Sequence, residues 1–372
     1  MIAGDPGQGG AVWAVLQYVL GLRQLGHDVY LVEPLNPTAI QPSGVALCNS
    51  KNAAYFQQVT SDFGIEGKSS LILDHTLDTV GLTYSQLRKI ASETDVLLNI
   101  SGMLKHHDLI ARIPVRAYLD LDPAFNQLWH ATQSIDMRFA AHNRFITVGN
   151  AIGESECPIP TCGLPWITTF QPIVLDHWPR GNCIRYDACT TIANWRGYGS
   201  IQHDGVFYGQ KAHSLREFMD LPSKSTERFV LALTIHRDER KDIDALNRNG
   251  WTILEPGEVT RTPCMYKEFI RSSKAELGIA KSGYVAARCG WFSDRSVCYL
   301  ASGRPVIAQE TGFSRHLPTG SGLFAFRTGE EALEAIDSIG ADYRRHSDAA
   351  RALAEEHFHS DKVLTRLLEK IA

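Results

Sequence analysis

The chain has 372 residues, 44% of them hydrophobic, and carries 37 Lys and Arg against 41 Asp and Glu for a formal net charge of -4. That balance excludes the overall basic field with which proteins neutralise nucleic-acid phosphates, and the length suits two globular domains facing a cleft. No run approaches the roughly 20 apolar residues of a membrane helix, and the start lacks the basic-then-apolar order of a secretory leader, so the expectation is a cytoplasmic protein with no integral membrane segment.

In chain order, the glycine-rich turn Gly4–Gly10 leads into a helix in which Val12, Val15, Leu16, Val19 and Leu20 recur at helical spacing, stopped by Gly26. A short buried strand, Val29–Val32, follows. This is half of a βαβ unit. Only Met1, Ile2 and Ala3 stand before Gly4, so the first strand is read as truncated, and its absence from the middle of a sheet would leave neighbouring backbone groups unpaired. A helix over 85–92 and strands over 95–100, 115–121 and 144–149 continue the alternation that favours a parallel sheet. Residues 153–183, with Pro158, Pro160, Pro165, Pro172 and Pro179, read as a crossover between domains.

The second half restarts the pattern. Strands are expected over 190–194, 229–233, 251–254, 276–280 and 305–308. Helices are expected over 214–219, 243–248, 265–272, 293–300, 330–339 and 343–371, with a hairpin-like insert between Arg196 and Lys211. The eight cysteines form no CxxC cluster, so neither a disulfide framework nor a zinc site is indicated, and no metal ligand set is predicted. The expected architecture is α/β: two Rossmann-like doubly wound domains, an N-terminal one over 1–175 and a C-terminal one over 176–345, with a final helix over 346–372 packing back on the first.

The most specific stretch runs from Cys289-Gly290-Trp291-Phe292-Ser293-Asp294-Arg295-Ser296 through Ala301-Ser302-Gly303-Arg304-Pro305-Val306 to Glu310-Thr311-Gly312. It resembles the donor-binding segment of GT-B glycosyltransferases of the glycogen-synthase-like group. A helix start offers free N–H groups to a pyrophosphate, and the glycine of 310–312 lets backbone approach a sugar. The resemblance implies donor contacts at Ser293, Asp294, Arg295, Ser296, Glu310, Thr311 and Gly312. It also implies that Arg196 and Lys211 neutralise the leaving diphosphate, and that Gly7, Gly9 and Gly10 form the N-lobe glycine loop near the donor. The chain departs from that group in lacking its two glutamates, whose places hold Gly290 and Cys298.

Strand ends in the first domain offer Asp122 and His107 as catalytic candidates, the first as acceptor of a proton from a hydroxyl. The implied activity is metal-independent transfer of a sugar from a nucleotide-diphosphate sugar, bound as co-substrate without a separate cofactor. The acceptor is a small molecule, glycan or lipid-linked saccharide, and nucleic acid is not expected as a partner. Two alternatives share the donor site: a nucleotide-sugar epimerase of the same fold and a non-catalytic nucleotide-sugar-binding subunit.

Overall fold

The computed structural model describes residues 1–372. The N-terminal lobe begins with α1 (Gly9–Gln24), whose Val12, Leu16 and Val19 are buried and which ends before Gly26 at φ +89°. Then come β1 (Leu31–Leu35), α2 (Lys51–Asp62), β2 (Ser69–Leu73), β3 (Thr79–Gly81), α3 (Tyr84–Glu93) and β4 (Val96–Ile100). After these, α4 (His107–Ile110), β5 (Val115–Asp120), α5 (Phe125–Thr132), β6 (Arg144–Thr147) and β7 (Trp166–Thr168) complete the lobe. β4, β5, β6 and β7 form one parallel sheet in that order, and β1–β2–β3 form a second. β7 lies inside the proline-rich stretch read as crossover, so the passage between lobes begins only after Thr168.

β1 and β4 do not pair. Near the gap expected from the short start, the backbone amides of Ile2, Ala3 and Gly4 donate instead to the buried carboxylate of Glu33 on β1, at 2.8, 2.7 and 3.0 Å. A side chain thereby supplies acceptors that a neighbouring strand would otherwise give. Burial raises the pKa of the Glu33 carboxyl against the opposing effect of these bonds.

The C-terminal lobe continues with β8 (Tyr186–Asn194), the antiparallel hairpin β9 (Ile201–His203) and β10 (Val206–Tyr208), α6 (Lys211–Glu217), β11 (Phe229–Thr234), α7 (Arg240–Arg248) and β12 (Trp251–Leu254). It ends with α8 (Pro256–Val259), α9 (Pro263–Arg271), β13 (Ser273–Gly278), α10 (Ser282–Ala287), α11 (Asp294–Ala301), β14 (Val306–Gln309), β15 (Leu323–Phe326) and α12 (Gly329–Ala341). Six strands form a fully parallel sheet in the order β12–β11–β8–β13–β14–β15. The chain winds outward from β8 to one side and then returns to β13 on the other. Connections diverge at the carboxyl ends of this pair, which opens a crevice there.

The long final helix expected over 343–371 is two helices, α13 (Tyr343–Leu353) and α14 (Ser360–Ile371). Between them a single π turn spans Ala354–Phe358, and His359 takes the extended conformation at φ -50°, ψ 124°. Here the chain recrosses to the first lobe, where Leu364, Leu367 and Ile371 pack with Tyr18, Leu119 and Ile146. The two crossings are joined to one another, because Ile173 donates to the Phe358 carbonyl at 2.7 Å and Ser360 donates to the Ile173 carbonyl at 2.9 Å.

Candidate active site between the lobes

At the carboxyl ends of β8 and β13 the structure gathers Lys211, Glu276, Lys281 and Arg295. Arg295, in the first turn of α11, turns inward: its Nε donates to the fully buried Glu276 carboxylate at 2.6 Å and its Nη1 to the Ile192 carbonyl at 3.0 Å. Burial alone would lower the guanidinium's pKa, but the Glu276 charge more than offsets it. Lys211 opens α6 from beneath the same crevice. It is 9% exposed, and its ammonium donates only to the Ile279 carbonyl. Burial, followed by the like charge of Arg295, pushes the Lys211 pKa well below its ordinary value. Two cations thus face one carboxylate.

Beside Arg295 lies a small hollow walled by Gly278, Ile279 and Ala280 at and just past the end of β13, by Ser293 at the cap of α11, by Ser296 within it, and by Gln309. The amides of Asp294, Arg295 and Ser296 precede the first helical bond of α11, from Val297 N–H to the Ser293 carbonyl at 3.0 Å. The Asp294 carboxyl accepts from the Ser293 hydroxyl at 3.4 Å. That carboxyl faces away from the hollow, into a small cavity against Trp13, Gln17 and Tyr18 of α1, where burial raises its pKa.

The remaining donor candidates are dispersed. Arg196 is drawn outward, paired with Glu239, and its side chain is 48% exposed. Glu310 accepts from the Gly312 amide, and Thr311 ties its hydroxyl to the Trp291 carbonyl. Gly312 is at φ +96°, where a Cβ would lie 2.7 Å from the Arg288 carbonyl oxygen. The glycine loop presses on the second lobe: a Cβ on Gly9 would lie 2.4 Å from the Thr262 oxygen, and one on Gly10 would lie 2.8 Å from the Tyr266 ring. Gly7, at φ +95°, lies against Arg261.

The two positions that depart from the glutamate pattern are contact points between the lobes. A Cβ on Gly290, at φ +74°, would sit 2.7 Å from the Ala151 amide. Cys298 is buried among side chains that include Trp13 of α1, and burial lifts its thiol pKa well above the usual value.

From the first lobe, Asp122 enters the same crevice just past β5. Its carboxylate accepts from the hydroxyls of Tyr198 and Tyr284 and pairs with Lys281 at 3.4 Å. Phe125 meets Tyr198 and Tyr284 edge-on at 4.8 and 5.5 Å between centroids, and Tyr284 stacks on Trp291 at 4.1 Å. Beneath Asp122, the fully buried Asp120 accepts from Asn126 at 2.6 Å, from Gln127 at 2.8 Å and from Thr147 at 2.8 Å. Burial pushes its pKa up to about 6. The other catalytic candidate, His107, is exposed at the start of α4, beside Asp108 and its partners Arg88 and Arg112, and does not join this group. Lys281, Tyr198, Tyr284 and Glu276 were not singled out from the sequence. Lys281 alone left a usable trace, as a lysine directly after a predicted strand.

No protein-family model matches this chain, and no curated protein does. Solved structures match over nearly its whole length. Anabaena HepE in complex with UDP and glucose aligns with a TM-score of 0.60 at 11% identity, covering 99% of this chain and 96% of that one. An alpha-glucosyltransferase in complex with UDP-glucose and DNA containing an abasic site aligns with a TM-score of 0.61 at 12% identity, covering 98% and 96%. The fold is GT-B. AviGT4, a glycosyltransferase involved in avilamycin A biosynthesis, shares it at a TM-score of 0.52 and 13% identity, covering 100% and 91%. In a GT-B arrangement of two Rossmann-like lobes, the crevice holding Lys211, Lys281 and Asp122 is the interlobe cleft. No helix of this chain is long and apolar enough to cross a membrane.

Proposed function

We propose that the chain is a glycosyltransferase that takes a sugar from a nucleotide-diphosphate donor held at the carboxyl ends of β8 and β13. One observation carries the reading: the buried Lys211 amine makes no ion pair and donates only to the Ile279 carbonyl, while Glu276 gives one oxygen to Arg295. Burial disfavours the charged form of Lys211, and a bound anion would restore it. A diphosphate beside Ser293 and Ser296 would draw on Lys211 and Lys281, and these cations would stabilise the negative charge that builds on a departing nucleoside diphosphate without requiring a metal ion. GT-B proteins solved with UDP or UDP-glucose make UDP the first probe.

In this reading Asp122 is the group nearest an incoming hydroxyl, supported from below by Asp120. Arg196 could join only by leaving Glu239. The deciding experiment is calorimetric titration with UDP, followed by incubation with UDP-glucose and a panel of saccharide acceptors. Saturable UDP binding and acceptor-dependent UDP release are expected. Absence of UDP binding overturns the choice of donor, and an epimerised sugar formed without acceptor overturns transfer.

A further inference from the structure

Lys281 has one anion beside its ammonium and the proposed anion site beside its backbone. On one side is Asp122, with its carboxylate 3.4 Å from the ammonium. On the other is the hollow, walled by the two residues immediately before Lys281 in the chain, Ile279 and Ala280. The charge of Lys281 also bears on Lys211. The ammonium is enclosed by aromatic rings, 4.0 Å from the Tyr198 centroid and 5.1 Å from those of Phe125 and Tyr284, and donates to the Tyr198 hydroxyl. In so little water its attraction to each anion is strong, and one flexible four-carbon stem cannot serve both fully at once. Asp122 has other donors, Tyr198 and Tyr284, and can stay in place when Lys281 leaves.

We infer that Lys281 is shared between Asp122 and the donor diphosphate. Without donor it neutralises Asp122 and ties the lobes together. A diphosphate in the hollow draws the ammonium away and leaves Asp122 hydrogen-bonded to two tyrosines but without a cation. Donor binding thereby leaves the Asp122 carboxylate open to an acceptor hydroxyl. The inference rests on the donor-site reading above, and its test separates the two.

UDP is titrated calorimetrically into the wild type, Asp122→Asn, Lys281→Met and the double variant. Sharing predicts that Asp122→Asn binds UDP about five- to tenfold more tightly, because the competing carboxylate is gone, a coupling of the usual size between linked sites. Lys281→Met binds about tenfold or more weakly, Lys281→Arg recovers part of the loss, and in the Lys281→Met background Asp122→Asn brings no gain. A latch of purely structural role gives unchanged or weaker UDP binding in Asp122→Asn, and that result overturns the inference. Asp122→Ser provides the same reading if the asparagine variant does not fold. Absence of UDP binding by the wild type would remove the UDP-donor reading along with it, whereas wild-type binding without the gain removes only the sharing.

Discussion

The amide of Gly9, in the first lobe, donates to the carbonyl of Thr260, in the second, at 2.9 Å. Backbone touches backbone here, and no side chain fits between. Gly9→Ala should therefore cost about 2 kcal/mol of stability, the usual penalty of forced overpacking. Urea denaturation measures it, and a loss below about 0.5 kcal/mol would mean that the lobes separate at this seam without penalty.

Lys211→Met should act in opposite directions on folding and binding. Replacing an unmatched buried cation by an apolar side chain of similar length is neutral or stabilising by about 1–2 kcal/mol. The same change should remove the thermal stabilisation by UDP. Because burial holds the Lys211 pKa low and a bound diphosphate would raise it, UDP binding by the wild type should take up protons as pH rises, and its affinity should fall. Calorimetry in buffers of different ionisation enthalpy reads the uptake, which Lys211→Met should abolish.

Asp120 predicts a pH effect of known sign. Its carboxyl pKa is raised from 3.8 to about 6 in the folded chain, so the folded state holds that proton more tightly than the unfolded one. The resulting stabilisation is complete below the unfolded value and lost as pH rises through about 6. Acidifying from about pH 7 to about pH 5 should therefore raise the urea midpoint of the wild type relative to Asp120→Asn. A constant difference between the two proteins across that range would show that Asp120 does not titrate as described.

Leu364 on α14 is fully buried against the first lobe, and a Cβ on Gly21 of α1 would approach its Cδ1 to 2.6 Å. Leu364→Ala should cost about 3 kcal/mol, as for other buried leucines. A smaller loss, near the exposed-surface value of about 0.5 kcal/mol, would show that α14 holds the lobe only loosely.

Much of this architecture was legible because apolar runs with sharp stops mark their own elements. β12 falls on Trp251–Leu254 and α11 on Asp294–Ala301, within a residue of expectation. The region 35–84 gave no such signal. Its β2, Ser69–Leu73, is short and buried throughout, so it shows no alternation to read. The site followed the same division. Asp122, just past a strand end, could be placed near a cleft by rule, and Lys211 by the resemblance alone. The partners that decide their charge could not. Arg196 lies beside Trp195 in sequence, yet Glu239, 43 positions later, claims it. Tyr198 reaches Asp122 across 76 positions from within an insert whose periodicity says nothing about its direction.

The paired crossings at Ile173 and Phe358–Ser360 restrict how the two halves can swing. A single tether would permit twisting about its own length, but here the two crossings are joined by a backbone bridge. A relative twist of the lobes would have to break that bridge, which favours the present registration of Asp122 with Lys281.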